Sequence, residues 1–202
     1  MGVPELVITV VIPTLNSERA LVPTLSALVS GSAAGLVREV ILADGGSTDE
    51  TEKIADVAGC HFQKGPHDPG ARLRAAVHHA RGNWLFFLDP AAHLQEGWMR
   101  EVRVFIETME RSGLAERRAA TFRLGYEGFG FSPRLAEAAA AARLVVIGRP
   151  RPEQGLLIAR RFYDHLGGHQ DGKKAQERLF ARIGRRKLIT LRARIVLAMQ
   201  IS

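Results

Sequence analysis

Residues 40–51 read VILADGGSTDET. An apolar run stops at a carboxylate, two glycines follow, and then Ser-Thr-Asp leads into a pattern with helical spacing. A buried strand has little use for an ionised side chain unless its end faces a ligand or a turn. Glycines directly after the acid let the backbone take turn conformations and let another molecule approach closely. The stretch therefore reads as the carboxyl end of a parallel strand opening into a helix, which is where open α/β sheets bind ligands.

The residues around it repeat the same design. LVITVVIP (6–13) is a β-branched run ended by proline and reads as a first buried strand. Residues 15–31 read as a helix with Ser17 as cap, Leu21, Leu25 and Leu28 on one face, and Gly31 as its stop. REVILAD (38–44) is the second strand, and 47–59 the next helix, with Ser47 or Thr48 as cap. A short strand over 60–65, a helix over 69–82 and a buried strand NWLFFLD (83–89) follow. This alternation predicts an α/β fold with an open, mostly parallel sheet flanked by helices. Three strand ends then share one edge, at Pro13-Thr14-Leu15-Asn16, Asp44 and Asp89.

Beyond residue 95 the pattern is looser. Helices are expected over 96–113, 132–148 and 175–184, a strand over 119–131, and a loop, short strand and helix over 149–168. KLITLRARIVL (187–197) alternates as a terminal strand. The 202 residues suit one domain, with 1–98 as a nucleotide-binding half and 99–202 as an acceptor-side half.

Composition narrows the setting. One cysteine, Cys60, excludes an internal disulfide and a cysteine-based metal cluster, which suits a cytoplasmic, reducing compartment. The first residues lack the basic start of a signal peptide, and no apolar run approaches the roughly 18 residues that span a bilayer. The net charge is +7, and residues 171–202 hold nine Lys or Arg against two acids. A basic segment of this kind suits a solvated face, substrate phosphates, a peripheral contact with an anionic membrane, or a dimer contact. No zinc-finger spacing or interleaved aromatic pattern supports nucleic-acid recognition.

VVIPTLNSE, VILADGGSTDET and ARG followed by NWLFFLDPAAHL resemble, in order and spacing, the family 2 glycosyltransferases of the GT-A nucleotide-diphosphosugar transferase fold. The length, the 70–98 stretch and PEQGLLIARRFYDHLGGH resemble the short bacterial branch known as radical-SAM/selenodomain-associated transferase 2. The resemblance implies an NDP-sugar donor, UDP-linked, and an acceptor that the sequence does not name. It implies that Pro13, Thr14, Asn16 and Glu18 border base and ribose. Asp44 would accept from the base N–H, and Gly45 and Gly46 would admit the nucleotide. Asp89 would open the Asp-x-Asp motif that holds a divalent metal, Mg²⁺ or Mn²⁺, on the diphosphate.

Three positions depart from the family pattern. Ala91 replaces the second Asp, and an Ala methyl cannot ligate; His93, two residues on, is the substitute ligand to weigh beside a plain surface histidine. Gly172 and Lys173 stand where the family has Glu-Asp, leaving Asp171 as the general-base candidate. LRAA (73–76) replaces the Arg-Asn-x-Gly helix start, so Arg72 or Arg74 would face the diphosphate. Arg149, Arg151 and Lys173 are further cations for a metal-independent variant. These departures leave two functions in view: sugar transfer, or a degenerate module that binds a nucleotide, a partner protein or a membrane.

Overall fold

The computed structural model describes residues 7–126 and 150–197. The helix expected over 132–148, the end of the strand expected to 131, and Arg149 lie outside the described residues. The first half is a run of strand–helix units: β1 (Ile8–Thr14), α1 (Glu18–Ala33), β2 (Val37–Asp44), α2 (Thr51–Val57), β3 (His61–Lys64), α3 (Pro69–His79) and β4 (Trp84–Phe87). The second half holds β5 (Ala92–Leu94), α4 (Trp98–Arg111), β6 (Ala119–Tyr126), a 3₁₀ turn (Pro152–Gln154), β7 (Leu156–Ala159), α5 (Arg160–His165), α6 (Ala175–Ile183) and β8 (Leu188–Leu197).

The described strands form one sheet in the order β3-β2-β1-β4-β7-β6-β8-β5. β3, β2, β1 and β4 pair in parallel, with Thr14 opposite Asp44 and Asp44 opposite Lys64. β7 then runs antiparallel between β4 and β6. β1 and β4 are buried on both faces, which explains why they read as unbroken apolar runs rather than alternating ones. Ile8, Val10, Trp84, Leu85 and Phe86 sit in the core between α1 and α4 on one side and α3 on the other.

Some local expectations change. Gly31 does not stop α1; it lies inside the helix, and a Cβ there would stand 2.7 Å from the Trp98 ring, so it is the place where α1 passes close to α4. α2 starts at Thr51 rather than at 48, because the amides of Ser47 and Thr48 are already bonded to Asp44 and Asn16. β5 was not legible as a strand, since three residues after a turn carry no period. β8 forms where the alternation of 187–197 predicted a strand: it pairs with β6 and β5, burying Leu191 and Ile195 and exposing Arg192 and Arg194.

The segment after α5 is fixed to the sheet by a buried imidazole. His169 is 1% exposed and meets the Phe87 ring edge-on at 4.7 Å. The Tyr163 hydroxyl accepts from the His169 backbone N–H at 3.0 Å and lies 2.9 Å from Nδ1. Gln176 Oε1, 2.6 Å from Nε2, can only accept, so the neutral ring carries its proton on Nε2 and Nδ1 accepts from the Tyr163 hydroxyl. Burial pushes the Tyr163 hydroxyl up to about 12, so it keeps its proton. Burial, joined by the Arg182 and Arg74 cations, pushes His169 down to about 4 against the opposing bond to Gln176.

A histidine depressed in the folded state stays neutral while the unfolded chain takes up a proton. Its contribution is therefore fully present above the unfolded value of about 6.5 and is lost as pH falls towards about 4. Chemical denaturation of the wild type should show a stability loss of about 3 kcal/mol from this group across that window. In His169→Phe that part of the slope should vanish. An unchanged slope in the variant would contradict the buried neutral imidazole.

Candidate functional site

The site begins at Asp44, which is fully buried at the end of β2. Its Oδ1 accepts from the Thr14 hydroxyl at 2.9 Å and from the Ser47 hydroxyl. Its Oδ2 accepts from the amides of Gly46 and Ser47, each at 2.8 Å. Burial alone would raise this carboxyl, but the Ser47 hydroxyl, the two amides and Thr14 outweigh it and hold it below the ordinary carboxylate range. Gly46 takes φ +102°, a conformation that a side chain would strain, and this turns the chain back over the carboxylate.

The turn is sewn to the loop after β1. Asn16, at φ +50°, donates its amide to Ser47 Oγ at 2.8 Å and accepts from the Thr48 amide at 2.8 Å. The Ser17 amide donates to Thr51 Oγ1, and the Glu18 amide to Asp49 Oδ2. Glu18 Oε2 accepts from the Glu50 amide at 3.0 Å. Thus Pro13, Thr14, Asn16, Glu18, Asp44, Gly45 and Gly46 are brought together. Thr14, Asp44 and Gly45 are buried beneath, while Asn16 and Gly46 are exposed.

Arg72 lies across this floor. It is 8% exposed, and a Cβ added at Gly45 would stand 1.9 Å from its Nη1, so only glycine leaves the guanidinium its place. Nη1 reaches the His67 carbonyl at a long 3.5 Å, and the buried Nε meets no acceptor. Burial works against its charge, and Asp44 and Asp68 favour it from a distance. His67 stands beside Gly46, its ring 3.3 Å from where a Cβ would be. No spacing signal marked His67, because its approach to Gly46 joins two loops well apart in the chain.

Arg74 is elsewhere. It is tied to the segment after α5, with Nη1 donating to the His169 carbonyl and Nη2 to Asp171 Oδ1, both at 2.7 Å. The general-base candidate Asp171 is therefore an exposed ion-pair partner of the arginine expected at the diphosphate. Lys173 is exposed nearby, on the loop that covers Gly70, where a Cβ would stand 2.0 Å from the Gln170 carbonyl oxygen.

Asp89 follows β4 on the same edge. Its Oδ1 accepts from the Ala91 amide at 2.9 Å, so position 91 contributes a backbone donor where the sequence motif lacks a side chain. Burial and then the Glu153 charge raise its carboxyl, against the Ala91 amide. His93 lies in β5 opposite Val196, half-buried between the buried Ala92 and Leu94. Among the described residues no three His, Cys, Asp or Glu side chains converge as an all-protein metal cage. A separate apolar groove of about 770 Å³ lies between α1 and α2, lined by Val22, Val29, Val37 and Val57, away from these strand ends.

The comparisons with known proteins agree with this architecture. The model of the family described as Glycosyl transferase family 2 matches residues 9–115, more than half of the chain. Polypeptide N-acetylgalactosaminyltransferase 8 of Drosophila melanogaster is 29% identical over 199 residues, covering 83% of this chain and 32% of its own length. The chain thus spans about a third of that curated relative. Glucosyl-3-phosphoglycerate synthase of Mycobacterium tuberculosis, in complex with Mn²⁺, UDP and glucosyl-3-phosphoglycerate, superposes with a TM-score of 0.57 at 23% identity, over 95% of this chain and 70% of that one. S. aureus TarS 1-349 in complex with UDP-GlcNAc gives a TM-score of 0.66 at 14% identity, over 96% and 59%. At these identities the likeness is one of fold, the GT-A glycosyltransferase fold. The family match, over the very strands that build the Asp44 turn and carry Asp89, shows that the chain belongs to glycosyl transferase family 2.

Proposed function

We propose that the protein binds a UDP-linked sugar at the carboxyl ends of β1, β2 and β4 and transfers the sugar to an acceptor hydroxyl. The observation that carries this reading is a buried guanidinium, Arg72, packed on Gly45 with an unpartnered Nε, over a turn fixed by Asp44. Such a group is a ready donor for a nucleotide carbonyl or phosphate oxygen. Family membership supports the reaction class, and the UDP and UDP-GlcNAc held by the two matched structures support the donor class.

In this reading Asp44 works through the turn. All its acceptor directions are used and it has no exposed surface, so it holds the floor while Gly45, Gly46 and the 13–16 loop meet the nucleotide. Asp89 lies at the diphosphate end, and a divalent metal bound there would offset the charge that gathers on the departing nucleoside diphosphate. In transfer, the bond from the anomeric carbon to the diphosphate oxygen breaks as the acceptor oxygen bonds that carbon, and the acceptor proton passes to a base. Acceptor recognition falls to 99–202, within one domain, because a single sheet runs through both halves. The PEQ turn leading into β7 supports membership of the short bacterial branch. No described helix is long and apolar enough to cross a membrane, and the single cysteine is consistent with a cytoplasmic setting.

A second reading, nucleotide binding without transfer, is favoured by one observation. Asp171 is held in its ion pair with Arg74, and no carboxylate stands at 172 or 173.

Calorimetry with UDP, CDP, GDP and dTDP tests the donor site. UDP should bind best, and Arg72→Ala should weaken it about tenfold or more, the worth of a charge-assisted hydrogen bond. Asp44→Ala should lower stability by about 3 kcal/mol, because buried donors lose their acceptor, and should abolish binding with it. Full-strength UDP binding in a folded Arg72→Ala would overturn the assignment.

A further inference from the structure

The edge of the sheet opposite the nucleotide end gathers cations that the fold does not neutralise. β4 runs parallel to β1 and antiparallel to β7, and β7 runs antiparallel to β6. β6 and β8 pair in parallel, so both begin on the edge away from Asp44 and Asp89. Three segments meet there. Arg118 Nη1 donates to the Arg186 carbonyl, Lys187 Nζ lies 5.7 Å from the centre of the Phe162 ring, and Arg161 pairs with Glu116 at 3.5 Å. The loop before β6, the start of α5 and the 3₁₀ turn Arg185–Lys187 therefore share one surface.

The charge of this surface has one sign. Arg117, Arg185, Arg186 and Lys187 are exposed and Arg118 is half-buried. Among the described residues none of the five has a carboxylate partner. The acids close by are engaged already: Glu116 with Arg161, Asp164 with Arg160, and Glu110 as acceptor for the Trp84 indole N–H. Like charges gathered on neighbouring turns repel one another, so folding alone gives no reason for the cluster.

Exposed cations spread over three segments suit an anionic surface better than a single anion. The rings at this edge, Trp84 and Phe162, are buried and offer no face on which a base could stack. The exposed cations stand on turns, not along a helix or ribbon that could enter a groove. Leu114, Leu188 and Ile189, partly exposed, border them instead. Cations beside partly exposed apolar side chains suit the headgroup region of a bilayer.

We propose that this edge docks the protein on an anionic lipid surface, with the carboxyl ends of β1, β2 and β4 turned away from the bilayer. The contact is peripheral and electrostatic. It does not depend on the donor reading, because these side chains stand at the other end of the strands.

Flotation with vesicles of phosphatidylcholine, with and without about 30% phosphatidylglycerol, tests it at about 0.1 M salt. The wild type should float with the anionic vesicles alone and be released at about 0.5 M salt. One cation near such a surface is worth about fivefold in partitioning, so Arg185→Gln combined with Arg186→Gln should weaken association about tenfold or more, with Tm unchanged. Arg100→Gln combined with Arg103→Gln removes the same charge from exposed positions on α4 and should cost no more than about twofold. A wild type that stays off the anionic vesicles would overturn the proposal. So would full association of the Arg185/Arg186 variant, or equal losses in the two variants, which would mark net charge alone. Tight binding of an oligonucleotide by a protein that ignores the vesicles would overturn it in favour of nucleic acid.

Discussion

Two oxygens at the end of β2 hold together the loops at the carboxyl ends of β1 and β2. Asp44 accepts from two hydroxyls and two amides with no solvent in reach. Only an ionised carboxylate offers two acceptor oxygens and no competing donor; an asparagine would point N–H at N–H. Because one of the donors is Thr14, the knot fixes the end of β1 against the end of β2. Because the others belong to Gly46 and Ser47, it sets the path of the chain into α2. Asn16 and Glu18 then bond back to the same turn, so loop and turn behave as one rigid lip. Arg72 can lie on Gly45 only because that lip is glycine at 45.

The lip explains both what the sequence disclosed and what it hid. A strand ending in Asp, two glycines and a cap-rich run are local features, and they mark the turn and its place on the sheet edge. The β-branched and aromatic runs likewise disclose the parallel strands, since burial on both faces removes polar residues. The job of Asp44 was hidden, because a carboxylate that contacts a ligand and one that holds a turn have the same letter. The difference lies in donors at 14, 46 and 47 converging in space. Arg74 and Asp171 were read as separate chemical groups and turn out to bond each other. They lie nearly a hundred residues apart, and no pattern in the chain links them.

The second half was harder to read for a physical reason. Its strands pair antiparallel or out of order, so neighbours in the sheet are distant in sequence. The alternation of 187–197 disclosed β8 as a strand, but not its partners β6 and β5, which lie far away in the chain. His169 illustrates the same point at one residue: its burial depends on Tyr163, Gln176 and Phe87 meeting around it. The result is a rigid lip at the ends of β1 and β2, and a separate segment after α5 pinned by Arg74 and a neutral imidazole.

The central claim is that this lip is where the nucleotide sits. Amide chemical-shift mapping on ¹⁵N-labelled protein titrated with UDP tests it most directly. The account predicts perturbations concentrated at Leu15, Asn16, Gly45, Gly46, Ser47 and Thr48, together with the Arg72 side-chain Nε. Perturbations confined instead to the apolar groove of α1 and α2, around Val22, Val29 and Val57, would contradict it.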